Sequence, residues 1–103
     1  MVWVYLQFGG GLETLFDSVK SHKVEIPSKK KEGLSDRTTV KGVINYIQKK
    51  MLKKNPEMFL KGKELRPGIL VLINDIDWEL GGKEECIVEN NDVVLFLSTL
   101  HGG

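Results

Sequence analysis

Apolar and polar positions change period several times along this chain, and each change predicts an element. Residues 2–8 are mostly apolar, rich in β-branched and aromatic side chains, and stop at Gly9-Gly10-Gly11, which predicts a buried strand. Leu12, Leu15, Phe16 and Val19 then recur at i, i+3, i+4 and i+7, the period of a short helix. Residues 22–26 alternate and end at Pro27, a second strand. Residues 27–36, with Lys29-Lys30-Lys31, Gly33 and Ser35, have no period and read as a solvated loop.

The main helix follows, with Thr38 or Thr39 as candidate N-cap and Val40, Val43, Ile44, Ile47 and Met51 on one apolar stripe. Lys49, Lys50, Lys53 and Lys54 crowd its last turns, where cations complement the helix C-terminus, and Asn55-Pro56 is expected to end it. Residues 69–73 are apolar throughout and predict a strand covered within a sheet. Asn74-Asp75 offers turn chemistry, and Ile76, Trp78 and Leu80 alternate with Asp77 and Glu79 up to Gly81-Gly82, predicting a hairpin partner with one buried face. Asn90-Asn91-Asp92 turns into a last strand at 93–97, with residues 98–103 projecting beyond it. The element order suits an α+β architecture, a single mixed sheet packed on one main helix.

A length of 103 residues allows one core and no second domain. Fifteen basic and fourteen acidic residues leave a net charge of +1, so total charge makes no case for a nucleic-acid binder. The lone Cys86 cannot form an internal disulfide or a cysteine-built metal site and suits a reducing compartment. The N-terminus lacks a basic segment, and its apolar run is too short for a signal core or a membrane span. A soluble, intracellular protein is expected.

Candidate chemistry is sparse. Gly9-Gly10-Gly11 lacks both the Gly-Lys-Ser/Thr ending of a phosphate loop and the G-x-G-x-x-G of a dinucleotide site, so a structural glycine turn is the favoured reading. Cys86, beside Ile87, reads as a small core hydrophobe rather than the partner of His22 or His101 in a dyad. Asp75, Asp77 and Glu79 read as the solvent side of a strand, and Trp78 as packing. The lysines near the helix end lack the interleaved aromatics of a single-strand binder, and no direct nucleic-acid binding is expected. No metal set and no catalytic constellation is present. The reactive group that remains is the terminus, Leu100-His101-Gly102-Gly103. A Gly-Gly ending arises by chance roughly once in 200 chains, but it can also lie extended in a narrow channel and present an unhindered carboxylate.

Four stretches carry a resemblance that spans nearly the whole chain. Phe8-Gly9-Gly10-Gly11, Arg66-Pro67-Gly68-Ile69-Leu70-Val71-Leu72-Ile73-Asn74-Asp75, Asp77-Trp78-Glu79-Leu80 and Ser98-Thr99-Leu100-His101-Gly102-Gly103 resemble the ubiquitin-related modifier family of sulfur carriers and ubiquitin-like modifiers. The resemblance implies a β-grasp (ubiquitin-like) domain over residues 1–97 and a flexible tail over 98–103. It implies that the chain is not an enzyme and binds no cofactor. Gly103 would instead be adenylated, at the expense of ATP, by an adenylyltransferase/sulfurtransferase activating enzyme and converted to a thiocarboxylate. That species would donate sulfur to a cytosolic tRNA thiolation complex for 2-thiolation of wobble uridine. Gly103 would also form isopeptide bonds with lysines of target proteins. Leu100, His101 and Gly102 would be read by partners as the tail. A cytoplasmic monomer away from membranes is the accompanying expectation, and a noncovalent β-grasp interaction module with an idle Gly-Gly is the alternative. The lysine-rich stretch 28–31 and Gly81-Gly82 depart from the family's usual residues, so only the tail is carried over.

Overall fold

The computed structural model describes residues 2–27 and 37–99. Residues 28–36 of the loop expected over 27–36, and the expected tail residues Leu100, His101, Gly102 and Gly103, lie outside the described residues. Nine strands occur among those described: β1 Val2–Gly9, β2 Ser21–Ile26, β3 Thr38–Thr39, β4 Leu60–Lys61, β5 Glu64–Leu65, β6 Ile69–Ile73, β7 Ile76–Asp77, β8 Ile87–Val88 and β9 Val93–Ser98. One α-helix, α1, spans Val40–Tyr46.

The principal sheet has the order β2-β1-β9-β6-β7. Its two central strands, β1 and β9, run parallel with Phe8 opposite Phe96 and Gly9 opposite Leu97. Their outer neighbours, β2 and β6, pair antiparallel. This mixed sheet curled around one helix is the β-grasp arrangement. It follows from side-chain alternation. Val4, Leu6 and Phe8 of β1, Val94 and Phe96 of β9, and Val71 of β6 are all buried toward the helix. The helix contributes Val40, Val43, Ile44 and Ile47 to the same core, with Met51 partly buried against it, as its stripe predicts.

The four phenylalanines of the chain form one cluster at the end of the sheet where β9 finishes. Phe8 stacks on Phe16, with ring centroids 3.9 Å apart, and on Phe96 at 5.7 Å. Phe59 meets Phe96 edge-on at 5.5 Å and Phe16 at 5.7 Å. Such contacts add to the apolar burial that anchors this end of the domain.

Several sequence expectations are corrected. The helical turn after the glycines covers only Leu12–Phe16, because Asp17 and Ser18 adopt left-handed φ of 60° and 58°, and Val19 is left 46% exposed. Thr39 occupies the N-cap position of α1 without a side-chain cap bond, since Thr38 and Thr39 are extended in β3 against β8. The amide of Val40 donates to the carbonyl of Cys86 instead. The helix widens over Ile47–Met51, closing with a bond from the Leu52 amide to the Ile47 carbonyl, and ends there, four residues before Asn55. β6 alternates, with Ile69, Val71 and Ile73 buried and Leu70 and Leu72 only half-buried, because the helix covers one face of the sheet. The strand predicted across residues 76–80 is confined to Ile76–Asp77. The Asp77 carboxylate accepts from the Glu79 amide at 2.9 Å and starts a tight helical turn over Trp78–Gly81. Trp78 is buried as packing, while Leu80 is 82% exposed. The carboxylates therefore do not share a strand face. Asp75 lies in the turn, Asp77 caps, and Glu79 pairs with Lys83 at 3.5 Å.

Candidate functional site

The described residues end just past β9, at Thr99, and build in detail the root of the expected tail. β9 runs one residue past the apolar run, with Ser98 opposite Ile69 of β6. Thr99 is then held twice by one acceptor. Its amide donates to the Gly68 carbonyl at 3.0 Å and its Oγ1 donates to the same oxygen at 2.5 Å. Gly68 reaches this position with φ of 95°, the left-handed region that glycine enters without steric cost.

On the other side of β9, the parallel pairing with β1 stops at Gly9 and Leu97. Gly10 turns away with φ of 67°, and its backbone lies so close to Ser98 that a Cβ there would overlap the Ser98 carbonyl oxygen. A Cβ on Gly9 would meet Leu97 Cδ1 at 2.9 Å. The glycine turn is thus structural, as its sequence suggested, and the structure supplies the reason. It allows the β1 exit to pack on the tail root. It also fails as a phosphate loop, because the Gly11 amide is occupied by Glu13 Oε1 at 3.0 Å, a carboxylate that would repel an anion.

Beside this root lies an open cleft of about 340 Å³, lined by Gly10, Leu12, Leu15, Met58, Arg66 and Ser98 among others. The Arg66 guanidinium at its rim donates to the Glu57 carbonyl at 3.0 Å. The sheet face opposite the helix presents Leu70, Leu72, Leu95 and Leu97, each half-buried. Farther across it, Lys23 Nζ stands 5.6 Å from the Trp3 ring centroid and 5.7 Å from that of Tyr5, within cation–π range.

At the opposite end of β9, polar side chains set the strand's start. Asn74 Oδ1 accepts from the Val93 amide and Asn74 Nδ2 donates to Asp92 Oδ1, both at 2.9 Å. Asp92 Oδ2 accepts from the Glu89 amide at 2.8 Å. The strand that carries the tail is therefore tied at both ends.

The remaining candidates are separated. His22 Nε2 lies 3.0 Å from the Val19 carbonyl oxygen, and its ring stands edge-on to Phe8 and Phe16. Cys86 packs partly buried against the core, close enough to Gly81 that a Cβ there would meet its Sγ at 2.7 Å. That contact explains the glycine at 81. No group of His, Cys, Asp or Glu suited to a metal ion occurs among the described residues. Among them, too, no helix is long and apolar enough to cross a membrane. Sequence reasoning pointed to the terminal residues, which lie outside the described ones, and missed Thr99, Gly68 and Gly10 as a unit. The available signals were the Pro67-Gly68 turn before β6 and the glycines after β1.

Comparison with known proteins agrees with this architecture. The family model Urm1 (Ubiquitin related modifier) matches residues 3–103. The chain is 51% identical over 98 residues to Ubiquitin-related modifier 1 homolog 2 of Arabidopsis thaliana, covering 95% of this chain and 96% of that protein. The solution structure of Urm1 from Trypanosoma brucei superposes with a TM-score of 0.76 at 33% identity, over 98% of this chain and 95% of that one. A chain in the crystal structure of the Amycolatopsis orientalis BexX/CysO complex superposes with a TM-score of 0.68 at 25% identity, over 97% and 99% of the two chains.

Proposed function

The chain belongs to the Urm1 family of ubiquitin-related modifiers, and from that premise we propose that it carries sulfur as a thiocarboxylate on Gly103 for 2-thiolation of wobble uridine in cytosolic tRNAs. In the same reading it is conjugated through Gly103 to lysines of target proteins. A free carboxylate is a poor acyl donor because oxide is a poor leaving group. The Gly103 carboxylate attacks the α-phosphate of ATP on an activating enzyme, pyrophosphate leaves, and an acyl-adenylate remains. A persulfide sulfur of that enzyme then adds to the acyl carbon and expels AMP. A second thiol attacks the sulfur of the enzyme cysteine in the resulting acyl disulfide, forming a disulfide and releasing the thiocarboxylate. Its sulfur is ionised at neutral pH and nucleophilic, whereas a target lysine would instead capture the activated acyl group. ATP and catalytic groups come from the partner; this chain contributes a recognisable domain, with half-exposed leucines on the sheet face, and a narrow end.

The observation that carries this reading is the root of the tail. A central strand bonded on both sides delivers Thr99 to the edge of the domain, and the family match continues through Gly103. Intact-mass measurement after incubation with activating enzyme, ATP and a sulfur donor tests it. A mass gain equal to sulfur replacing oxygen is expected on the C-terminal peptide. A chain lacking Gly103 should fold and gain nothing, since the core among the described residues runs from Val4 to Phe96 and chain ends are where truncation is best tolerated. Retention of tRNA thiolation by the folded deletion variant would overturn the proposal and favour a noncovalent interaction module.

A further inference from the structure

We propose that Thr99 is a positioning residue for activation, fixing the point and direction from which the last four residues leave the domain. This inference rests on the sulfur-carrier reading above and adds to it a residue inside the folded domain. Two donors of Thr99, its amide and its hydroxyl, converge on the single carbonyl of Gly68. Across β9, the backbone of Gly10 closes on Ser98. Both flanking glycines need left-handed φ, 67° at Gly10 and 95° at Gly68, to make these approaches. The chain is thus gripped from β1 on one side and from the turn before β6 on the other, and the four-phenylalanine cluster holds the ends of β1 and β9 beneath it.

The grip has a consequence for reach. Counted from Thr99, four residues extend at most about 13 Å at roughly 3.3 Å each. So few residues leave little slack to make up a shift of the base, which then alters how the Gly103 carboxylate can be aligned with its reaction partner. Bringing a carboxylate in line with a phosphorus atom depends on such alignment, and small misplacements are costly to the rate. Thr99 does not touch the reacting atoms. It acts through the base of the tail.

The hydroxyl bond can be removed without changing the shape of an exposed side chain. Thr99→Val keeps the amide bond and the β-branch, and Thr99→Ser keeps both donors and loses only the methyl group. The test is ATP–pyrophosphate exchange by the activating enzyme across a range of carrier concentrations. For Thr99→Val, kcat falls about twofold to tenfold, the span expected for one net hydrogen bond, while KM for the carrier is unchanged because the docking surface is intact. Thr99→Ser restores kcat. Amide exchange at position 99 is faster in Thr99→Val, with β1 and β6 protected as in the parent chain. An unchanged kcat in Thr99→Val, or an equal fall in Thr99→Ser, overturns the positioning role while leaving the carrier reading intact. Absence of exchange with the parent chain would instead overturn the carrier reading, and Thr99's role with it.

Discussion

Gly10 is a position where sterics alone dictate the amino acid. Its φ of 67° costs an L-residue about 1–2 kcal/mol, and any Cβ would also overlap the Ser98 carbonyl oxygen. Relief by moving Ser98 is blocked, because Ser98 sits in register with Ile69 and is followed by the twice-bonded Thr99. Gly10→Ala should therefore lose about 1–3 kcal/mol of stability. The expected signature is a lower urea midpoint at an unchanged m-value; an unchanged midpoint would show that β9 yields freely at this point. Gly11 makes the contrast. Its φ is also left-handed, at 99°, but a Cβ there meets nothing within 4 Å, so Gly11→Ala carries only the conformational part of the cost. Neither difference is visible in the string Gly-Gly-Gly, because what separates the two positions is a strand 88 residues later in sequence.

The turn between β6 and β7 shows how an element can be legible in outline and misread in detail. Asn74 and Asp75 both have positive φ, 51° and 69°, the geometry of a two-residue hairpin loop that favours Asn-Gly. The turn chemistry was evident from sequence. The strand expected after it forms only over Ile76–Asp77, because alternation of Ile76, Trp78 and Leu80 fits a longer strand equally with a short strand followed by one helical turn, and the Asp77 carboxylate on the Glu79 amide selects the turn. Asp75→Gly should raise stability by about 0.5–1 kcal/mol, the roughly 1–2 kcal/mol of left-handed strain relieved less the roughly 0.5–1 kcal/mol of extra freedom glycine loses on folding, read as a higher melting temperature; no rise would mean that the Asp75 side chain compensates for its backbone. Asn74→Gly should do the opposite despite the same relief, since it strips the Val93 amide and Asp92 of their partner. The helix was the most legible element, because its stripe of Val40, Val43, Ile44 and Ile47 is local and all four are buried. Ile44 is 3% exposed, so Ile44→Asp buries an unpaired carboxylate at a cost of several kcal/mol, comparable with the whole stability of a small domain. Loss of amide dispersion in the NMR spectrum is expected, and a cooperative melt near the parental temperature would contradict the placement of this helix.

Across the whole molecule, stability and chemistry are assigned to different parts of the chain. Among the described residues the core runs from Val4 to Phe96, while the group proposed to react is the carboxylate of Gly103. That separation explains what sequence could and could not supply. The chemistry proposed for a terminal Gly-Gly is argued from the local sequence alone, whereas the strand end before it depends on Gly10 meeting Ser98 and Gly68 meeting Thr99, contacts set by long-range pairing of β9 with β1 and β6. The same separation makes substitutions in the tail diagnostic of function alone. Gly102→Val adds a β-branched side chain that restricts the backbone and widens the segment expected to enter the activating enzyme, and the last core residue among those described, Phe96, lies six positions earlier. The melting temperature should stay at the parental value while adenylation falls by about a hundredfold, the scale of loss for displacing a reacting group by roughly 1 Å. Gly102→Ala, with one carbon and no branch, should fall between the two. If Gly102→Val were adenylated at the parental rate, the channel would have to be wide, and a narrow end could no longer be the reason for two glycines there.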